Sequence, residues 1–258
     1  PPLLMLPGLT RNSRDFETVA ARYAGDWRVI AVDFRGRGMS DRDPESARYQ
    51  PPTYAADVVQ LLGDLRIDEA VFLGTSLGGL VTMIVAKIAP QRIAGVLLND
   101  VGPELNLVGI DRIKSYVGKP IVFADWDAAA SELRRRHGDV HPAYGDDQWR
   151  KYARRVCHET ERGIEFDYDM AIAEPFEAAN TGEVTDGWPF YRGLAGRPVL
   201  VLRAEYSDLL SDDVAERMAS EIPDVEVVTV HGVGHAPDLD EPEAVAAIGR
   251  LLERVLSR

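Results

Sequence analysis

The stretch that most constrains this chain is Ala70-Val71-Phe72-Leu73-Gly74-Thr75-Ser76-Leu77-Gly78-Gly79-Leu80. It begins as a short apolar run, breaks at Gly74, and resumes as a helical pattern. Leu77, Leu80, Val81, Ile84, Val85 and Ile88 recur at the i, i+3, i+4, i+7 spacing of one helix face. Ser76 therefore sits at a strand-to-helix corner. The pattern Gly74-x-Ser76-x-Gly78 fits a nucleophile elbow, in which a strained serine aims its hydroxyl outward. Glycine is needed on either side because a Cβ would clash where strand and helix converge. The free N–H groups and dipole of a helix N-terminus favour negative charge, which is where an acyl-transfer enzyme needs its developing oxyanion.

A Gly-x-Ser-x-Gly match by itself is weak, so its surroundings decide its meaning. Leu3-Leu4-Met5-Leu6 reads as a buried strand ended by Pro7-Gly8, with Ser13 or Asp15 placed to cap a following helix. Arg28-Val29-Ile30-Ala31-Val32 is the next apolar run, before the glycine-rich turn Asp33-Phe34-Arg35-Gly36-Arg37-Gly38-Met39-Ser40. Thr53 can cap a helix whose core face is Tyr54, Val58, Leu61, Leu62 and Leu65. Residues 93–98 form another buried strand that ends at Asn99-Asp100. Strands alternating with helices predict a parallel sheet with right-handed crossovers and helices on both faces. The rhythm stops between residues 103 and 188, where no buried strand is evident and helical pieces fall at 110–117, 126–136, 146–159 and 167–179. It returns with strands over 197–203 and 225–230, a helix capped by Ser211, and a last helix opened by Asp240 with Glu243. The reading is a core of residues 1–102 and 189–258, with residues 103–188 inserted as a helical cap.

Length and charge narrow the function. A chain of 258 residues holds one large α/β domain with an insertion. A net charge of −13 argues against nucleic acid and anionic membrane surfaces as partners. The single cysteine, Cys157, excludes an internal disulfide and fits a reducing compartment. No run approaches the length of a membrane span or reads as a signal peptide, so the expected location is the cytoplasm. The chain opens on Pro1 without an initiator methionine, and a preceding native segment is expected.

A serine hydroxyl needs a positioned base to become a nucleophile. In a parallel sheet the functional loops lie at the carboxyl ends of strands. Three such loops carry Ser76, Asp208 and His235, in the order Ser, Asp, His that this sheet topology calls for. His235 is the expected base and Asp208 its orienting acid, with Asp100 at the end of the preceding strand as the rival. The oxyanion donors are the amide of Leu77 and, from the loop after the first strand, that of Leu9, with Thr10 second. Arg11 and Asn12 either orient substrate or brace that loop. His137 and His141 are expected to be exposed, and Arg134-Arg135-Arg136 to be a solvated helix face. His231 and His235 do not share a helix face, and no metal or other cofactor is expected.

Taken together, Gly74-Thr75-Ser76-Leu77-Gly78-Gly79, Asp33-Phe34-Arg35-Gly36-Arg37-Gly38-Met39-Ser40, Ser207-Asp208 and Gly234-His235-Ala236-Pro237 resemble the α/β-hydrolase superfamily over nearly the whole chain. The resemblance implies a three-layer fold with an eight-stranded, mostly parallel sheet and a helical cap after strand six. Pro7-Gly8 stands where that family often has His-Gly, and its first two strands have no counterpart before Pro1. A serine at the elbow argues against relatives that resemble haloalkane dehalogenases and epoxide hydrolases, which use a carboxylate there.

The expected function is a serine hydrolase that cleaves a small or medium carboxylic ester or lactone through an acyl-enzyme. The substrate carries an apolar portion under the cap, and the protein is a monomer or homodimer. Carbon–carbon bond hydrolysis, as in enzymes similar to ring-cleavage-product hydrolases, is the alternative, although these often carry a bulky aromatic where Ala236 stands. A cofactor-free perhydrolase-like activity is third, and a ligand receptor on a hydrolase scaffold is the competing class.

Overall fold

The computed structural model describes residues 1–178 and 186–258. The first half alternates strand and helix: β1 (Leu3–Leu6), α1 (Glu17–Tyr23), β2 (Val29–Ala31), α2 (Pro51–Asp64), β3 (Ala70–Thr75), α3 (Leu77–Ile88) and β4 (Ile93–Asn99). There follow α4 (Leu107–Lys114), β5 (Val122–Phe123), α5 (Trp126–His137), α6 (Asp146–Val156), β6 (Cys157–Thr160), β7 (Gly163–Phe166) and α7 (Ala173–Ala178). The chain closes with α8 (Trp188–Arg192), β8 (Val199–Ala204), α9 (Asp212–Glu221), β9 (Val225–Val230) and α10 (Pro242–Leu256).

Six strands form one sheet in the order β2-β1-β3-β4-β8-β9, and every neighbouring pair is parallel. Strand order reverses between β1 and β3. The crevice outside the carboxyl ends of two such strands is where open α/β sheets bind ligands. Those two ends carry Gly8-Leu9-Thr10 and Ser76.

The strands are buried on both faces, so their side chains alternate between two cores. Leu4, Leu6, Phe72 and Leu98 point to one side, against Tyr54 and Val58 of α2, Val81 of α3 and Met218 of α9. Leu3, Met5, Leu73 and Leu97 point to the other, against Val19 of α1 and Ile248 and Leu251 of α10. The fold has three layers, as expected, with six rather than eight strands in its main sheet among the described residues.

The stretch expected to be helical is more mixed. Among its described residues β5, β7 and β6 pair antiparallel into a small sheet of their own. These strands run only two to four residues, too short for a period-2 pattern to stand out. The helix expected over 146–159 stops at Val156, where the chain turns into β6. The piece expected over 167–179 is a short 3₁₀ turn, Met170–Ile172, followed by α7, and Ala179 lies outside the described residues. Trp149, Tyr152, Leu133, Val156, Phe123 and Ile164 pack into a core separate from the two that flank the main sheet.

Cap residues also differ in detail. Asn12, not Ser13 or Asp15, caps the turn ahead of α1, its side chain accepting from the Arg14 amide. Pro51 and Pro52 open α2, so Thr53 lies inside its first turn. Likewise α10 starts at Pro242 behind Glu241, and Asp240 with Glu243 forms no capping box there. Ser211 does cap α9, accepting from the Val214 amide at 3.4 Å.

Strand and helix approach closely at the β3–α3 corner. An added Cβ at Gly74 would lie 2.6 Å from the Gly78 backbone. One at Gly78 would overlap the carbonyl of Leu6 in β1. Gly78→Ala is therefore expected to cost about 3 kcal/mol and to lower Tm by roughly 6–12 °C in thermal unfolding followed by circular dichroism. An unchanged Tm would mean that β1 and α3 are not held this close.

Candidate active site

Ser76 ends β3 and precedes α3 with φ 51° and ψ −114°. A residue with a Cβ rarely adopts positive φ, and such strain clusters at functional sites. The strained corner turns Oγ towards His235, whose Nε2 lies 2.9 Å away. On the other side of the ring, Nδ1 lies 2.8 Å from Oδ2 of Asp100. A carboxylate can only accept, so Nδ1 carries the proton and Nε2 is left free to accept the serine hydroxyl.

The acid beside the histidine is Asp100, and the expectation of Asp208 is corrected. Asp208 is bonded through both oxygens to Arg112, whose Nη2 donates to Oδ1 at 2.9 Å. Burial raises the Asp208 carboxyl, but the hydrogen bond and charge of Arg112 outweigh it and hold the group below its ordinary value. Asp100 is fully buried and sits in the left-handed region at φ 54°, which aspartate tolerates better than most residues. It is satisfied three ways: His235 Nδ1 and Ser207 Oγ donate to Oδ2, and the Ala204 amide donates to Oδ1. The two carboxylates follow adjacent strands, β4 and β8, so their positions in sequence do not separate them.

Asn99, one residue earlier, was not singled out from the sequence. Its Nδ2 donates to the carbonyl of Pro237 at 2.9 Å and to Thr75 Oγ1 at 3.1 Å. Its main-chain carbonyl accepts from the Ser76 amide at 3.1 Å. Asn99 thus ties the histidine loop to the serine corner. A buried amide at a strand end was the available signal.

Leu77 is the first residue of α3, so its amide has no partner four residues back in the helix. Gly8 lies beside Ser76: a Cβ built there would be 3.8 Å from that of the serine. The neighbouring Leu9 carbonyl accepts from Nε of Arg37 at 2.8 Å. Arg37 comes from the glycine-rich turn, is 1 % exposed, and also bonds the Arg35 carbonyl and the Tyr54 hydroxyl. The turn therefore braces the loop that carries the expected second oxyanion donor. Asn12 braces it too, donating to the Arg155 carbonyl at 2.8 Å. Arg11 pairs with Asp15 at 2.6 Å and lies over the Tyr152 ring.

Ser76 and His235 open onto a cavity of about 110 Å³. Its walls mix apolar and aromatic side chains such as Ile113, Leu133, Phe166 and Tyr168 with Arg11, Arg112 and Arg136. His137 and His141, expected at the surface, line it instead. His141 is 4 % exposed and stacks on Tyr144 at 4.3 Å. Burial pushes both imidazoles down to about 3, and the charge of Arg11 adds to the effect. Both are therefore neutral at pH 7.

A serine, a histidine and a carboxylate in hydrogen-bonded series, at the carboxyl edge of a parallel sheet, define a candidate nucleophile–base site on a hydrolase-type α/β fold. The chain belongs to the alpha/beta hydrolase family, whose model matches residues 3–248. It is 33 % identical to the 3-hydroxybutyrate-oligomer hydrolase of Cupriavidus necator, covering 95 % of this chain and 85 % of that protein. It is 30 % identical to the 2-(acetamidomethylene)succinate hydrolase of Mesorhizobium japonicum, covering 94 % of this chain and 84 % of that one. The crystal structure of an alpha/beta hydrolase from Novosphingobium aromaticivorans superposes with a TM-score of 0.93 at 53 % identity, over 98 % of this chain and 90 % of that one. Among the described residues no helix is long and apolar enough to cross a membrane.

These two histidines, one buried and one half-buried, predict an acid-sensitive fold. Each binds a proton in the unfolded chain below about pH 6.5 but stays neutral in the folded protein down to about 3. The unfolded state thus holds more protons in that window, so this contribution falls as pH falls. Between pH 6.5 and 4.5, denaturant titrations should show the wild type losing stability relative to His137→Gln/His141→Gln by roughly 1 kcal/mol per pH unit per histidine. Parallel curves for the two proteins would contradict neutral burial.

Proposed function

We propose that the protein is a serine hydrolase that cleaves a small carboxylic ester through an acyl-enzyme. The observation that carries this reading is the unbroken series from Ser76 Oγ through His235 to Asp100. In the proposed mechanism His235 Nε2 takes the Ser76 proton as Oγ attacks the ester carbonyl. Asp100 holds the tautomer and stabilises the imidazolium that forms. The amides of Leu77 and Leu9 receive the oxyanion, supported by the dipole of α3. The imidazolium then protonates the departing alkoxide, and the alcohol leaves. Water, deprotonated by His235, attacks the acyl-serine and releases the acid.

Residues 103–188 act as a cap in this reading, since Ile113, Leu133 and Tyr168 supply cavity walls opposite the sheet edge. The apolar walls suit a short carbon skeleton. The relatives named for hydrolysing 3-hydroxybutyrate oligomers and 2-(acetamidomethylene)succinate support acyl hydrolysis as the shared chemistry.

The role of the two carboxylates separates in mutants. Ser76→Ala should abolish turnover of short p-nitrophenyl esters and labelling by an active-site-directed phosphonate, with kcat down by about 10⁵ or more. Asp100→Asn should lower kcat by about 10³–10⁴ through loss of the productive tautomer. Asp208→Asn should cost less than about tenfold, because its partner is Arg112 rather than the imidazole. A larger loss for Asp208→Asn than for Asp100→Asn would reverse the assignment.

A further inference from the structure

Three consecutive arginines close α5, and they do not share one environment. Arg134 and Arg135 side chains are 60 % and 70 % exposed, whereas that of Arg136 is 14 % exposed and lines the cavity. Its guanidinium carbon lies 5.6 Å from the centre of the Phe166 ring. Leu133, three residues earlier and so on the same helix face, lines the cavity with it.

Arg136 differs from the other two cavity arginines in how its charge is met. Arg11 makes two bonds to Asp15, and Arg112 makes two to Asp208. Arg136 donates only Nε, to Glu132 Oε1 at 2.6 Å. That same carboxylate also accepts two bonds from Arg135. One negative charge therefore serves two guanidiniums, and neither Nη group of Arg136 bonds a described residue. The nearby imidazoles of His137 and His141 are neutral at pH 7, so they neither offset this charge nor add to it. A largely buried cation with four spare N–H donors, facing a cavity, is suited to a planar anion held by two parallel hydrogen bonds.

We propose that the substrate is itself an anion: an ester whose carboxylate, a few atoms from the scissile carbonyl, is bound by the two free Nη groups of Arg136. This rests on the serine-hydrolase reading of Ser76 and goes further by assigning the charge of what enters the cavity. The apolar walls then contact the short skeleton between the ester and the carboxylate. The carboxylate completes the half-met charge of Arg136, which a neutral ester of the same size leaves unmet.

Isosteric pairs test this, one with the charge on each side of the ester. The first pair is 3-acetoxybutyrate and 3-acetoxybutyramide, and the second the p-nitrophenyl monoesters of glutarate and glutaramate. For at least one pair, the wild type should favour the carboxylate by about tenfold or more in kcat/KM, mainly through KM. Arg136→Gln should bring that ratio to within about twofold of one, and Arg136→Lys should retain part of it. Using the ratio cancels any general loss of folded enzyme. Isothermal titration with free glutarate against glutaramide reads the anion site without turnover, and Arg136→Gln should erase the preference for glutarate. Equal turnover of both members of each pair by the wild type, or a glutarate preference that survives Arg136→Gln, would overturn the proposal. Selective glutarate binding in a protein that turns over no ester, and whose Ser76 resists the phosphonate, would instead sink the hydrolase reading and leave the anion site standing.

Discussion

The structure depends on how closely α3 can approach the sheet. Gly74 and Gly78 remove two side chains where the chain reverses from β3 into α3, and the helix start then rests against the carbonyl of Leu6 in β1. At this corner Ser76 takes a positive φ, and the first amides of α3 have no partner within the helix. The contact with Leu6 also brings the end of β1 next to the serine, so Gly8 and Leu9 approach it from the other side. A wider gap would lose the strained serine and this two-sided approach together.

Around that corner the polar groups are held rather than merely nearby. The end of β4 does most of the holding. Asn99 ties the serine backbone to the loop beyond His235, while Asp100 accepts from the imidazole, from Ser207 and from the Ala204 amide. Hydrogen bonds of this kind fix a ring orientation to within a narrow range, which proton transfer requires. Arg37 does the same for the Leu9 loop from the opposite side. Its side chain carries a buried charge with no carboxylate among its hydrogen-bond partners, and burial lowers its affinity for the proton. Such a group is costly to bury and is kept where a geometry has to be maintained.

The family model, the relatives and the superposed crystal structure agree on the fold and on hydrolysis as the general chemistry. The cavity is shaped largely by residues outside the main sheet. Residues there build a separate aromatic core around Trp149 and Tyr152, and they surround the cavity with arginines and neutral histidines. The cavity keeps its imidazoles uncharged and presents a guanidinium that shares one carboxylate with Arg135, beside the acids Asp15 and Asp238, within a chain whose net charge is −13. The overall balance of charge therefore does not describe the groups that line the cavity.

The sequence by itself determined the α/β alternation, the serine corner and the loop carrying His235, because each follows from local rules: apolar runs of strand length, helical spacing after Ser76, and glycine where a Cβ has no room. It could not choose between Asp100 and Asp208. Both follow strands of the same sheet, and the choice rests on which carboxylate finds a competing partner, here Arg112, brought in from α4 nearly a hundred residues away in sequence. Nor could it tell Arg136 from Arg134 and Arg135, since three adjacent identical residues differ only in the direction that a helix turns each one. Local geometry is encoded by neighbours in the chain, whereas the pairing of charges depends on distances that exist only after the layers and the inserted segment have packed.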